Sequence, residues 1–146
     1  MLALNNNSSE IMQQFNIHAC TDITGYGLLG HLNEMCISSK LSAVINFNEV
    51  DFIKNVDKFA SKDIIPAGTK KNLEFYNNNI DFNHSIKNYQ KYMLADAQTS
   101  GGLLISVPKK YSNELLNKLN HNSKFKSKII GHFINKKNKN IFILNE

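Results

Sequence analysis

His18-Ala19-Cys20-Thr21-Asp22-Ile23-Thr24-Gly25-Tyr26-Gly27-Leu28-Leu29-Gly30-His31 reads as a strand, a glycine turn and the start of a helix. Ile17 to Cys20 is too short an apolar run for a helix and fits a buried strand. Asp22 and Thr24 flank its end, and both side chains can accept from the free backbone N–H groups of a helix start. Gly25 and Gly27 admit positive φ and let the backbone approach a ligand without a Cβ in the way. From Leu28 the apolar residues Leu28, Leu29, Leu32, Met35 and Cys36 follow a helical spacing. The positive end of that helix would then sit beside the Asp22 carboxylate, a place suited to a phosphate or to a metal ion bridging phosphate and carboxylate. The same Asp-x-Thr-Gly pattern also serves as nothing more than a cap and a tight turn.

Working outward, Ser8 caps a short helix carrying Ile11, Met12 and Phe15. Leu41 to Phe47 alternates like a half-buried strand, and Glu49 to Ala60 places Val50, Ile53, Val56 and Phe59 at helical intervals. Ile64 to Thr69 is a Pro/Gly loop, with Thr69 capping a helix that contains Leu73 and Tyr76. Asn77 to Asn88 reads as a polar surface excursion with His84 exposed. Gln98, Thr99, Ser100, Gly101 and Gly102 then lead into the apolar run Leu103 to Val107, expected as a buried strand stopped by Pro108. Lys109 to Asn120 is a further helix, and Lys128–Phe133 and Ile141–Leu144 are strands expected to form a hairpin across Asn135–Asn140. Alternating helices and strands predict an α/β (α+β) fold, a mixed sheet packed with helices, over one domain spanning residues 1–146.

No apolar run is long enough to span a membrane, and Met1-Leu2-Ala3-Leu4 followed by asparagines carries no secretory signal, so a cytoplasmic location is expected. Cys20 and Cys36 form neither a disulfide framework nor a zinc pattern. The net charge of +5 comes from lysine alone, crowded between Lys118 and Lys139. Without the arginine fork and exposed aromatics of sequence-reading proteins, these lysines read as a solvated surface, and no nucleic acid partner is expected.

Three segments in order, His18–His31, Pro66-Ala67-Gly68-Thr69-Lys70-Lys71-Asn72 and Asp96-Ala97-Gln98-Thr99-Ser100-Gly101-Gly102-Leu103-Leu104, resemble the C-terminal domain of selenophosphate synthetases (selenide, water dikinases). These enzymes are similar in turn to aminoimidazole ribonucleotide synthetase, and the likeness extends to the closing Ile129-Ile130-Gly131. The resemblance implies the aminoimidazole ribonucleotide synthetase C-terminal-domain-like fold. It also implies a reaction of ATP, selenide and water giving selenophosphate, AMP and phosphate, with Mg2+ required. It places Asp22 as a carboxylate on the metal–phosphate cluster, Thr24, Gly25 and Gly27 at the phosphates with backbone N–H groups aimed at them, and Gln98, Thr99, Ser100, Gly101 and Gly102 as a wall of the cleft. Gly68, Thr69 and Asn72 fall on a loop near the same cleft. Ala67 and Ala97 stand where the family usually has glycine and proline.

The family's glycine-rich segment with its reactive cysteine or selenocysteine and its lysine has no counterpart in these residues. Neither do the other metal-binding aspartates. The expectation is therefore the C-terminal half of the enzyme, a truncated product, an excised domain or one piece of a split protein, nearly inactive by itself. It would reach ATP, Mg2+ and selenide only with an N-terminal half, which in intact enzymes also forms a dimer interface. The competing expectation is a remnant or binding module that keeps the fold without the chemistry. His18 and His31 bracket the first motif and read as packing or hydrogen-bonded residues at the cleft edge; no histidine is assigned a role.

Overall fold

The computed structural model describes residues 5–121 and 123–146; the reading of Met1 to Leu4 lies outside them. In chain order the elements are α1 (Asn6–Met12), β1 (Ala19–Asp22), α2 (Gly27–Ser39), β2 (Leu41–Asn46), α3 (Val56–Ala60), α4 (Ala67–Tyr76), β3 (Ile80–Phe82), α5 (Asn88–Ala95), β4 (Leu103–Ser106), α6 (Lys109–Asn120), β5 (Gly131–Asn135) and β6 (Ile141–Leu144). The result is the expected α+β arrangement of helices on mixed sheet.

The main sheet has the order β3-β6-β2-β5, with β2 antiparallel to β5 and parallel to β6, and β3 parallel to β6. On one face Ala43, Ile45, Ile141 and Ile143 pack under Leu29, Leu32 and Cys36 of α2 and Leu94 of α5. Full burial of an aliphatic side chain of this size stabilises by roughly 1.5–3 kcal/mol, so this layer holds the molecule together. Polar groups inside it are matched. Ser42 Oγ donates to the Lys139 carbonyl at 2.7 Å and accepts from the Lys137 N–H at 2.9 Å. Helix α2 ends where Lys40 turns left-handed at φ 54° and its N–H closes on the Cys36 and Ile37 carbonyls.

A separate two-stranded ribbon pairs β1 with β4, antiparallel, with Asp22 opposite Leu103 and Ala19 opposite Ser106. Both strands were expected to be buried, yet no residue of either is fully buried. Leu104 reaches the main core while the rest of the ribbon stays partly exposed, whereas the central strand β2 has neighbours on both edges.

Other expectations change for local reasons. β5 and β6 do not form a hairpin, because β2 lies between them and takes the backbone bonds of both. The helix expected over Glu49–Ala60 shrinks to α3, since Asn55 adopts φ 70° and interrupts it. The tract after Asn77 is not all excursion. It contains β3, and Ile80 and Ile86 are buried in the core. α5 follows with no apolar periodicity to announce it, its Gln90 side chain reaching back to accept from the Lys87 N–H at 2.8 Å. Ser8 lies within α1 and Phe15 beyond it, and Asn5 rather than Ser8 precedes the helix.

Candidate functional site

β1 delivers Asp22 to the end of the ribbon, where its carboxylate is exposed. The chain then turns through Ile23 to Tyr26 into α2. Neither Asp22 nor Thr24 caps that helix; Tyr26 occupies the N-cap position with no side-chain bond. Instead the turn is tied from inside. Thr24 donates its N–H to His31 Nε2 at 3.1 Å, and its Oγ1 lies 3.0 Å from the same nitrogen. Gly27 donates its N–H to the Thr24 carbonyl at 3.0 Å. Gly27 holds φ +66°, and a Cβ there would stand 2.7 Å from the Ala95 and Asp96 backbone, so only glycine lets α2 seat on the 95–96 strand of chain.

The three sequence segments converge. Asn72, on α4, donates both Nδ2 protons: one to the Gly25 carbonyl at 2.9 Å, the other to the Ala95 carbonyl at 3.1 Å. The Gln98 N–H donates to the Thr24 carbonyl at 3.0 Å, the Gly101 N–H to the Ile23 carbonyl at 3.0 Å, and the Ile23 N–H to the Gly102 carbonyl at 3.0 Å. Thr69, almost wholly buried within α4 and not a cap as expected, donates Oγ1 to the Asp96 carboxylate. Gln98 Nε2 approaches the same carboxylate at 3.4 Å. Gly68 lies in the first turn of α4 with open space about its Cα, and nothing ties it to the others.

The candidates therefore divide into an inner set and an outer set. The N–H groups of Thr24 and Gly27, expected to point at phosphate, are instead committed inside the turn. The Asp22 carboxylate, the Gly25 N–H and the Thr99 and Ser100 hydroxyls have no hydrogen-bond partner among the described residues, and Asp22, Gly25, Thr99 and Ser100 are all exposed. A Cβ at Gly25 or Gly102 would meet nothing within 4 Å, so packing within the chain does not demand glycine at either position. Among the described residues no three His, Cys, Asp or Glu side chains converge on one point. Asp22 offers one carboxylate where Mg2+ takes near-octahedral oxygen ligation, so these residues by themselves do not fit a magnesium–ATP cluster. Two surface hollows, about 350 Å³ beside Phe59 and Ile64 and about 320 Å³ beside Ile134 and Phe142, involve none of the candidates. What the segments build is an open wall.

The sequence profile of the family described as "AIR synthase related protein, C-terminal domain" matches residues 2–143. The chain belongs to that family. Among curated AIR synthase-related proteins, it is 39% identical to a "Selenide, water dikinase" of Aliarcobacter butzleri over 98% of this chain and 41% of that protein. It is 42% identical to a protein of the same name from Campylobacter jejuni, over 98% of this chain and 40% of that one. A third, from Clostridioides difficile, is 37% identical over 99% of this chain and 41% of its own length. The chain thus spans about two fifths of the curated relatives it matches.

Two residues of this AIR synthase-related domain carry more of the geometry than the sequence announced. His31 is buried with its ring nitrogen on the turn; its position seven residues after Thr24 gives no periodic signal for such a contact. Asp96 anchors the 96–102 loop through Thr69 and Gln98; the bond depends on α4, distant in sequence. The thiol of Cys20 is pushed up by burial and then by the neighbouring Asp22 charge, so it is no ready nucleophile.

Proposed function

We propose that this chain forms the C-terminal wall of a selenide, water dikinase. In that role it faces the phosphates of ATP across a cleft whose other side comes from the part of the family protein beyond the matched two fifths. The reaction is the one the resemblance implies: selenide, ATP and water giving selenophosphate, AMP and phosphate, in the cytoplasm. With the second half in place, Asp22 would offer one carboxylate to a Mg2+ and the Gly25 N–H would face a phosphate oxygen, while Thr24 and Gly27 hold the turn in shape. Gln98, Thr99, Ser100, Gly101 and Gly102 line the adjacent wall, while Thr69 and Asn72 brace it from behind. Mg2+ and ATP bind only with the second half present, because phosphoryl transfer requires several charges placed about one phosphate. The intact enzyme would dimerise through that other half.

The observation that carries this reading is Asn72 bonding Gly25 and Ala95 at once. It joins the segments that bear the resemblance into one surface, with Asp22 at its open edge. The test mixes this chain with the remaining N-terminal three fifths of the Aliarcobacter butzleri relative and measures selenide-dependent conversion of ATP to AMP. Activity is expected from the pair and from neither piece alone. An inert pair beside an active intact relative would count for the competing reading, a domain that keeps the fold without the chemistry.

A further inference from the structure

We propose that His31 is a positioning residue whose Nε2 lone pair sets the shape of the Asp22–Gly27 turn; its functional consequence rests on the dikinase reading above. The turn has no side-chain cap on α2. Besides the Asn72, Gln98 and Gly101 bonds described above, one ring nitrogen ties it to α2, accepting the Thr24 N–H at 3.1 Å with the Thr24 hydroxyl at 3.0 Å. An amide can only donate, so Nε2 carries no proton and the ring proton sits on Nδ1. The surroundings agree with that tautomer: Nδ1 faces the Glu34 carboxylate, 3.7 Å away.

The ring is packed in place. It is buried one turn into α2, with Tyr26 edge-on at 5.8 Å between ring centres. Gly30 beside it is pressed against Tyr76. The imidazole is therefore a buried post, and the Thr24 N–H hangs from it with the Thr24 hydroxyl alongside. Since the Thr24 carbonyl in turn accepts from Gly27 and Gln98, the post fixes the turn and the start of the second loop together. His31 is buried and its Nε2 faces Thr24, so it acts through Thr24, not on substrate.

The test uses two variants. His31→Gln places a carbonyl oxygen near the position of Nε2 and keeps an acceptor; His31→Phe keeps the bulk and loses it. In the isotope-labelled chain, ring nitrogen shifts should show Nε2 unprotonated. Thr24 amide exchange should be slow in the parent and in His31→Gln, and faster in His31→Phe. In the assembled pair, His31→Phe should lower kcat by about a hundredfold, the scale for a reacting group misplaced by about 1 Å, and His31→Gln should recover most of that loss. A proton on Nε2, equal Thr24 exchange in both variants, or no recovery with Gln would each overturn the proposal. If the parent pair is inert, the dikinase reading falls, and the ring shifts with Thr24 exchange still decide whether His31 holds the turn.

Discussion

The four-stranded sheet and the two-stranded ribbon of this chain are held by different forces. In the sheet Ile141 and Ile143 are fully buried beneath Leu29 and Cys36, and the strands read off their pattern of burial. In the ribbon every residue of β1 and β4 keeps some exposure. Its place is set instead by directed bonds at one end, from His31, Asn72 and the Gly101–Ile23 and Ile23–Gly102 backbone pairs. Burial is proportional to area and indifferent to small shifts, while a hydrogen bond fixes an atom to within tenths of an ångström. The region proposed to meet ATP is the one built by direction, and that is the region where positions matter most.

Substitutions separate the two. Ile143→Ala, in the buried layer, should cost about 3 kcal/mol of global stability, read as a fall in the urea midpoint. Asn72→Ala leaves two carbonyls without their donor and should cost about 2 kcal/mol. Its mark should be local: faster amide exchange at residues 24–27 and 95–98 while the amides of β2 and β6 stay protected. If the sheet amides loosen equally, the ribbon is not held separately. Ile105→Ala, on β4, should cost only about 1 kcal/mol, since a partly exposed side chain outside the main core gives up less transfer energy and leaves a cavity open to water. A loss as large as that of Ile143→Ala would show that the ribbon has a core of its own.

Where burial governs, the sequence was readable. Leu41 to Phe47 alternates because β2 has one face on the core, and Lys109 to Asn120 shows its helix because Leu115 and Leu119 face inward. β3 escaped notice, being three residues long with Asp81 between its apolar pair and asparagines before it. The β5–β6 hairpin was wrong because strand neighbours are chosen by the whole sheet, and a polar turn says nothing of a third strand entering between them. At the candidate site the resemblance named segments that the fold brings together, but not which groups face inward. That Thr24 and Gly27 spend their N–H groups on the fold, and that Thr69 is a buried donor to Asp96, depends on α2 and α4 meeting. No local pattern encodes that meeting.

A smaller effect is expected from pH. Burial raises the Cys36 thiol to about 11 from its ordinary 9.0, outweighing the pull of Lys136. The folded state therefore keeps the neutral thiol while the unfolded chain ionises first. Its contribution is fully present below pH 9 and is lost as pH rises towards 11. Urea midpoints of the parent and of Cys36→Ala should converge over that window; a constant difference would mean that the thiol is not desolvated.

Asp22→Asn should have the smallest effect on stability, within about 0.5 kcal/mol, because the side chain is exposed and has no hydrogen-bond partner among the described residues. It is also the variant that tests the site most directly. With this chain completed by the N-terminal part of a relative, selenide-dependent ATP consumption should fall by about a hundredfold or more on losing that one charge, with the urea midpoint unmoved. An unchanged rate from Asp22→Asn in an active pair would contradict the account.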